Sequence, residues 1–240
     1  MDDLTILMEF LNMDITNSDE VFEKFELLPN AQRCGQGLEQ FLFVEGNRKN
    51  KILLVAHADT IWDSNYVKHT YKKPLIVNEN GKIRNKNGGL GADDRAGCAM
   101  IYLLREMGHS ILITNGEEKG RIGSRWLVSQ NQKIADCINK EHQFVVQLDR
   151  RNARDFKCYS VGSESFRTYV GDVTGYSEPD RSAFTDIVTI CSNICGVNLS
   201  IGYYNEHTDK EYLVENEWRN TTNVCRKWLV EHYLPRFDRY

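Results

Sequence analysis

The sequence predicts an α/β protein, a three-layer helix–sheet–helix sandwich around a mostly parallel mixed sheet. Three observations carry this. Apolar runs of strand length recur along the chain: QFLFVEG (40–46), KILLVAHA (51–58), SILITNG (110–116), FVVQLD (144–149) and VNLSIG (197–202). Continuous runs of this length suit strands buried on both faces. Helical patterns separate the runs, and that alternation builds a sheet covered by helices on both sides. Finally, acidic residues and histidines gather just past the ends of the runs, where open α/β sheets place their ligand sites.

In chain order, 4–12 and 18–27 read as amphipathic helices, the second with Ser18 as its N-cap. After the first two strands comes PLIVNENGKIRN (74–85), whose Asn80-Gly81 marks a two-residue hairpin turn. The region 64–90 is expected to wall one side of a cleft, and 150–182 the other. Helices are predicted over 94–107, 121–132 and 182–195. A final pattern covers 211–234, with Tyr212, Leu213, Val224, Trp228, Leu229 and Tyr233 as apolar anchors. No linker, repeat or low-complexity stretch interrupts the pattern, so one domain is expected over 1–240.

A chain of 240 residues can bury a substantial core. Its net charge is −4 and it has no Lys/Arg block, which argues against a nucleic-acid or phospholipid partner. The start, MDDLTILMEFLNMD, is acidic and lacks the basic region and cleavage site of a signal peptide. No apolar run approaches the ~20 residues that cross a membrane. Seven cysteines without paired spacing argue for a reducing compartment, hence the cytoplasm. Cys191 and Cys195 read as buried core; as a metal pair they would lack a second pair.

The candidate chemistry lies in five short motifs. His57 and Asp59 in HADT are one residue apart, so in extended backbone both side chains share a face. The carboxylate could then orient the ring while the other ring nitrogen binds metal. Asp93-Asp94 opens a helix, where one carboxylate is expected as a cap, but Gly88, Gly89 and Gly91 before it suggest an unusual turn. Glu117-Glu118 leaves the strand SILITNG with its two side chains diverging, so one can bind a cation while the other handles a proton. Asp149 ends FVVQLD, and His207 follows VNLSIG at the same end of the sheet. Each motif alone has an ordinary explanation as a cap, turn or surface pair. Together they bring two imidazoles and several carboxylates to one cleft, the donor set of a site for two divalent metals.

HAD, GADDRAG, NGEEKG, the strand-end Asp149 and NEHT together resemble the co-catalytic di-zinc exopeptidases, from about position 40 to 215. That superfamily includes peptidase T, the glutamate-releasing carboxypeptidases and the di-zinc aminopeptidases; DDRAGC is similar to the motif of the tetrahedral-particle aminopeptidases. The resemblance implies a zinc-exopeptidase-like fold and hydrolysis of small peptides. It also implies two bound zinc ions, with cobalt or manganese as alternatives. It makes Asp93 the bridging carboxylate, with His57 and Asp149 on one metal and Glu118 and His207 on the other. Glu117 would be the general base, Asp59 would orient His57, and the Asp93–Asp94 peptide would be cis. Larger members insert a lid domain between the positions of Asp149 and His207. Here only 58 positions separate them, so the lid and its substrate contacts are expected to be absent. Arg150 beside Asp149, and Tyr203 or Tyr204 near His207, are candidate replacements. Two other readings are an amidohydrolase acting on N-acyl amino acids or other small amides, and a catalytically idle metal-binding module. Retention of Glu117 argues against the idle module, because metal binding does not need a base.

Overall fold

A computed structural model describes residues 2–62, 73–180 and 184–240. Its larger sheet runs in the order β1 (Ala31–Gln36), β2 (Glu39–Val44), β6 (Ser110–Thr114), β3 (Leu53–His57), β7 (Val145–Arg150), β9 (Gly196–Ser200), β8 (Phe156–Lys157). The four central strands β6, β3, β7 and β9 are mutually parallel, and antiparallel strands complete both edges. The expected mixed, mostly parallel sheet is the one observed.

Alternation along the strands separates two apolar layers. Leu42, Leu54, Ala56, Ile111, Ile113, Val146 and Leu148 face one side. They pack there with α1 (Asp3–Leu11), α2 (Asp19–Glu26), α3 (Ala92–Leu104), α6 (Glu164–Thr174) and α8 (Glu215–Leu229). Phe41, Phe43, Leu53, Val55, Leu112 and Val145 face the other, against α4 (Ile122–Gln130), α5 (Gln132–Glu141) and α7 (Asp186–Ile190). Helix α3 is buried on nearly every side. Gly97 lets it approach β7: a Cβ there would lie 2.0 Å from the Leu148 carbonyl oxygen. The strand carrying Asp149 and the helix carrying Asp93 are thereby held close.

Asn80 and Gly81 both have positive φ (54° and 82°) and join β4 (Ile76–Glu79) to β5 (Lys82–Asn85), as the Asn-Gly pair predicts. This hairpin pairs with β11 (Tyr212–Val214), which pairs with β10 (Tyr203–Tyr204), in a second, antiparallel sheet. Its described residues support the chain around His207 rather than line the cleft; residues 63–72 of the expected wall lie outside the described residues.

Several local expectations change. Ser18 has helical backbone and makes no side-chain cap; the Asn17 carboxamide oxygen accepts from the Asp19 N–H instead (3.0 Å). The 94–107 pattern is α3 followed by a 3₁₀ turn at Arg105–Met107. The 182–195 pattern contains only the short α7, broken where Cys191 becomes extended, and residues 181–183 lie outside the description. The 211–234 pattern begins as β11 before turning into α8. No helix among the described residues is long and apolar enough to cross a membrane.

Candidate metal centre

The carboxyl ends of β3, β6 and β7 and the loop after β10 meet the N-terminus of α3. His57 is the last residue of β3, and its Nε2 lies 3.1 Å from Asp93 Oδ1 and 3.4 Å from Asp149 Oδ1. His207 Nε2 lies 3.2 Å from Asp93 Oδ2 and 2.9 Å from Glu118 Oε1. The Asp93 carboxylate therefore presents one oxygen to each imidazole. Two triads able to hold a cation result, His57–Asp93–Asp149 and Asp93–Glu118–His207, each with donor atoms within 4.8 Å of one another. All five residues expected at the metals converge.

Local structure explains this convergence. Gly91 has φ +67° ahead of α3, and a Cβ there would meet the Ile15 side chain at 2.7 Å. The Asp93–Asp94 peptide is cis. Asp94 turns away from the cleft: its carboxylate accepts from the His57 N–H (3.1 Å) and the Gly97 N–H (3.2 Å), tying β3 to α3. The β7–β9 register shifts between Gln147 and Arg150, a bulge that re-aims Asp149. Gln147 Nε2 and Thr185 Oγ1 both donate to Asp149 Oδ2 (2.8 and 2.9 Å), and the Tyr203 hydroxyl donates to Oδ1 (3.5 Å).

Asp59 lies against the His57 ring and has a second role besides. The His57 Nδ1–H donates to the Asp59 main-chain oxygen at 2.9 Å, while the nearer carboxylate oxygen is 3.5 Å away. That carboxylate also accepts from the backbone N–H groups of Glu117 and Glu118, both at 3.1 Å. Asp59 thus fixes the loop bearing both glutamates. Glu211, which nothing in the sequence singled out, is 2% exposed and accepts from the N–H groups of Leu90, Gly91 and Asp93. Burial raises its pKa to about 8, against the three N–H groups that favour its charged form.

The site crowds negative charge into a buried place. Burial raises Glu117 to about 9 and Asp149 to about 6. At His57, burial opposes protonation, but the Asp149, Asp59 and Asp93 carboxylates outweigh it and raise the pKa well above the ordinary imidazole value. Hydrogen bonding to Asp93 and Glu118 raises His207 to about 11. A cation would relieve this carboxylate crowding. Glu118 Oε1 is buried and has no aligned hydrogen-bond donor, although the His207 ring is close. An acceptor left open there, in a set of imidazoles and carboxylates, fits a divalent metal.

A cleft of about 290 Å³ opens beside these groups, lined by Glu117, Arg150, Arg151, Tyr159, Phe184 and Tyr203 among others. Arg150 lines it, with its Nε–H donating to Asp155. Tyr204, expected to touch substrate, turns away: its hydroxyl donates to Glu217 (2.7 Å) and its ring stacks on Tyr212. Neighbouring strand residues face opposite ways, so Tyr203 is the one that reaches the cleft.

No protein-family model matches the chain. Over 144 residues it is 28% identical to carboxypeptidase G2 of a Pseudomonas species, a match covering 55% of this chain and 31% of that protein. The chain thus spans about a third of the length of that curated relative. Solved structures match over much more. The aminopeptidase PepT from Bacillus cereus superposes with TM-score 0.66 at 14% identity, over 96% of this chain and 97% of that one. A tripeptidase from Staphylococcus aureus gives 0.70 at 13% identity, over 95% and 97%. The TET1 peptidase of Pyrococcus horikoshii, which can assemble into a tetrahedron or a large octahedral shell, gives 0.63 at 12%, over 96% and 100%. This chain has the fold of these peptidases. The motif resemblance to the zinc exopeptidases and the architecture agree.

Proposed function

We propose that this chain is a metal-dependent exopeptidase of the aminopeptidase or dipeptidase type, acting on small peptides. One observation carries the reading: the two oxygens of Asp93 face separate triads, with Glu117 in the same cleft. His57, Asp93 and Asp149 would hold one divalent cation, and Asp93, Glu118 and His207 a second. One nitrogen and several oxygens for each suit zinc, with cobalt or manganese as alternatives. When bound, the pair would acidify a water and polarise the substrate carbonyl. Glu117, its backbone held by Asp59, takes the proton of the attacking water and hands it to the departing amine.

Between Asp149 and His207 the chain supplies β8, α6, α7, β9 and β10, which belong to the two sheets and their helical layers. We read the chain as one catalytic domain without a lid in this interval, its cleft facing solvent and favouring short substrates with a free end. The seven free cysteines support a reducing compartment, the cytoplasm. The test is a screen of the zinc- and cobalt-loaded chain against aminoacyl peptides and N-acyl amides, with Glu117→Gln as control. Hydrolysis of short free-ended peptides, lowered about 10²–10⁴-fold in the variant, is expected. Bound metal with no hydrolysis of any amide overturns the enzymatic reading; wild-type turnover in Glu117→Gln overturns the base.

A further inference from the structure

Tyr159 lines the cleft together with Glu117 and Asp149. Its φ is +50°, in the left-handed region where a bulky side chain is strained by about 1–3 kcal/mol. The fold holds it there with a clamp. Arg167, from α6, donates one N–H to the Tyr159 carbonyl oxygen and another to the Glu178 carboxylate. Glu178 in turn accepts from the Cys158 N–H at 2.9 Å. Both sides of the strained residue are therefore fastened, which sets the direction of its ring.

The hydroxyl group is also prepared. Asn198 is oriented by Asp149: its carboxamide oxygen accepts from the Asp149 N–H (3.0 Å) and its Nδ2 donates to the Asp149 carbonyl oxygen (3.1 Å). The same Nδ2 lies 3.4 Å from the Tyr159 hydroxyl. An amide nitrogen donates and does not accept, so the phenol oxygen is the acceptor and its own proton remains for another partner. The other two hydroxyl groups lining the cleft, on Thr185 and Tyr203, already donate to Asp149. Among the described residues, Tyr159 alone of these three brings an uncommitted O–H to the cleft.

We propose that Tyr159 is a catalytic residue that donates this hydrogen bond to the oxyanion formed when the scissile carbonyl is attacked. The assignment rests on the hydrolytic reading of the cleft. With no separate domain read between Asp149 and His207 to close over the substrate, such a donor comes from the cleft wall; Arg150 and Arg151 also line it but are paired with Asp155 and Glu206, while the Tyr159 O–H is uncommitted. A fixed donor aimed at developing charge acts on the transition state more than on the bound substrate.

The test compares the zinc-loaded full chain with Tyr159→Phe, which keeps the ring and removes only the donor. Peptide kcat should fall about 10²–10³-fold, with KM changed no more than about twofold. Calorimetry should show a phosphinic dipeptide analogue, which mimics the tetrahedral state, binding weaker by a similar factor. Affinity for a product amino acid should be unchanged. Equal analogue affinity in the two proteins overturns the role of Tyr159, whatever happens to kcat, and leaves the hydrolytic reading standing. A wild-type chain that hydrolyses no peptide and binds no analogue overturns both.

Discussion

Glu211 accepts a hydrogen bond from the backbone N–H of Asp93 at 3.1 Å, from a carboxylate that is itself almost wholly buried. Its other oxygen accepts from Gly91 (2.7 Å) and Leu90 (3.1 Å), so one side chain receives three N–H groups at the start of α3. The position of the Asp93 carboxylate therefore depends on a residue outside the two candidate triads. Glu211→Ala should leave three buried donors unpaired, each worth about 1–3 kcal/mol. Urea unfolding should show a loss of at least about 3 kcal/mol, and zinc affinity should fall about 10–100-fold, as expected when a group supporting a ligand is removed. A variant as stable and as tight for zinc as the parent would contradict this arrangement.

Asp59 makes a separate prediction, because its carboxylate grips the Glu117 and Glu118 N–H groups while its main chain holds His57. Asp59→Ala removes the first contact and keeps the second. Turnover should fall more than zinc affinity, since the ring of His57 stays fixed while Glu117, the proposed base, loses its anchor. Parallel kcat and zinc titration measurements check this. An undiminished kcat would show that the loop is held by something else.

Two histidines away from the cleft should make stability depend on pH. His109 donates from Nε2 to the Leu229 carbonyl oxygen (2.9 Å) and accepts at Nδ1 from the Ile52 N–H (3.2 Å). His142 donates from Nδ1 to the Ile138 carbonyl oxygen (3.1 Å) and accepts at Nε2 from the Ser110 hydroxyl (2.7 Å), which itself accepts from the Gly46 N–H. Both rings are neutral in the fold, and burial lowers both to about 4 from an ordinary 6.5. A folded pKa below the unfolded one gives stability fully present above about 6.5 and lost as pH falls towards 4. Each ring should lose about 2 kcal/mol between pH 7 and pH 5. His142→Gln removes one such group, so the stability gap between parent and variant should narrow by that amount over this range. A gap independent of pH would contradict the neutral, buried assignment.

Much of the site was legible because metal ligands are chemically conspicuous when they end apolar strands. His57, Asp149 and the Glu117–Glu118 pair show themselves this way, and the bridging role proposed for Asp93 follows from the motif resemblance. Supporting groups are harder to see. Glu211 lies in TDKEY and reads as one more solvated charge; only the fold reveals that it is buried under α3. The Asp59 carboxylate reads as a partner of His57, and its grip on the Glu117 and Glu118 N–H groups stays hidden because those groups belong to a loop 58 and 59 positions away. Tyr203 and Tyr204 could not be told apart, since a two-residue strand carries no phase until its neighbours are known. Strand β1, AQRCGQ, was missed for a related reason: at a sheet edge, half its residues are exposed and no apolar run marks it.

If Asp93 is shared by two cations, as proposed, metal stoichiometry must show it. The chelator-stripped chain, titrated with zinc by calorimetry and checked by elemental analysis, should bind two ions. His207→Ala should retain the His57–Asp93–Asp149 triad and bind one tightly, while Asp93→Ala should bind neither tightly. A single tight zinc in the parent chain, or two in His207→Ala, would contradict the shared carboxylate.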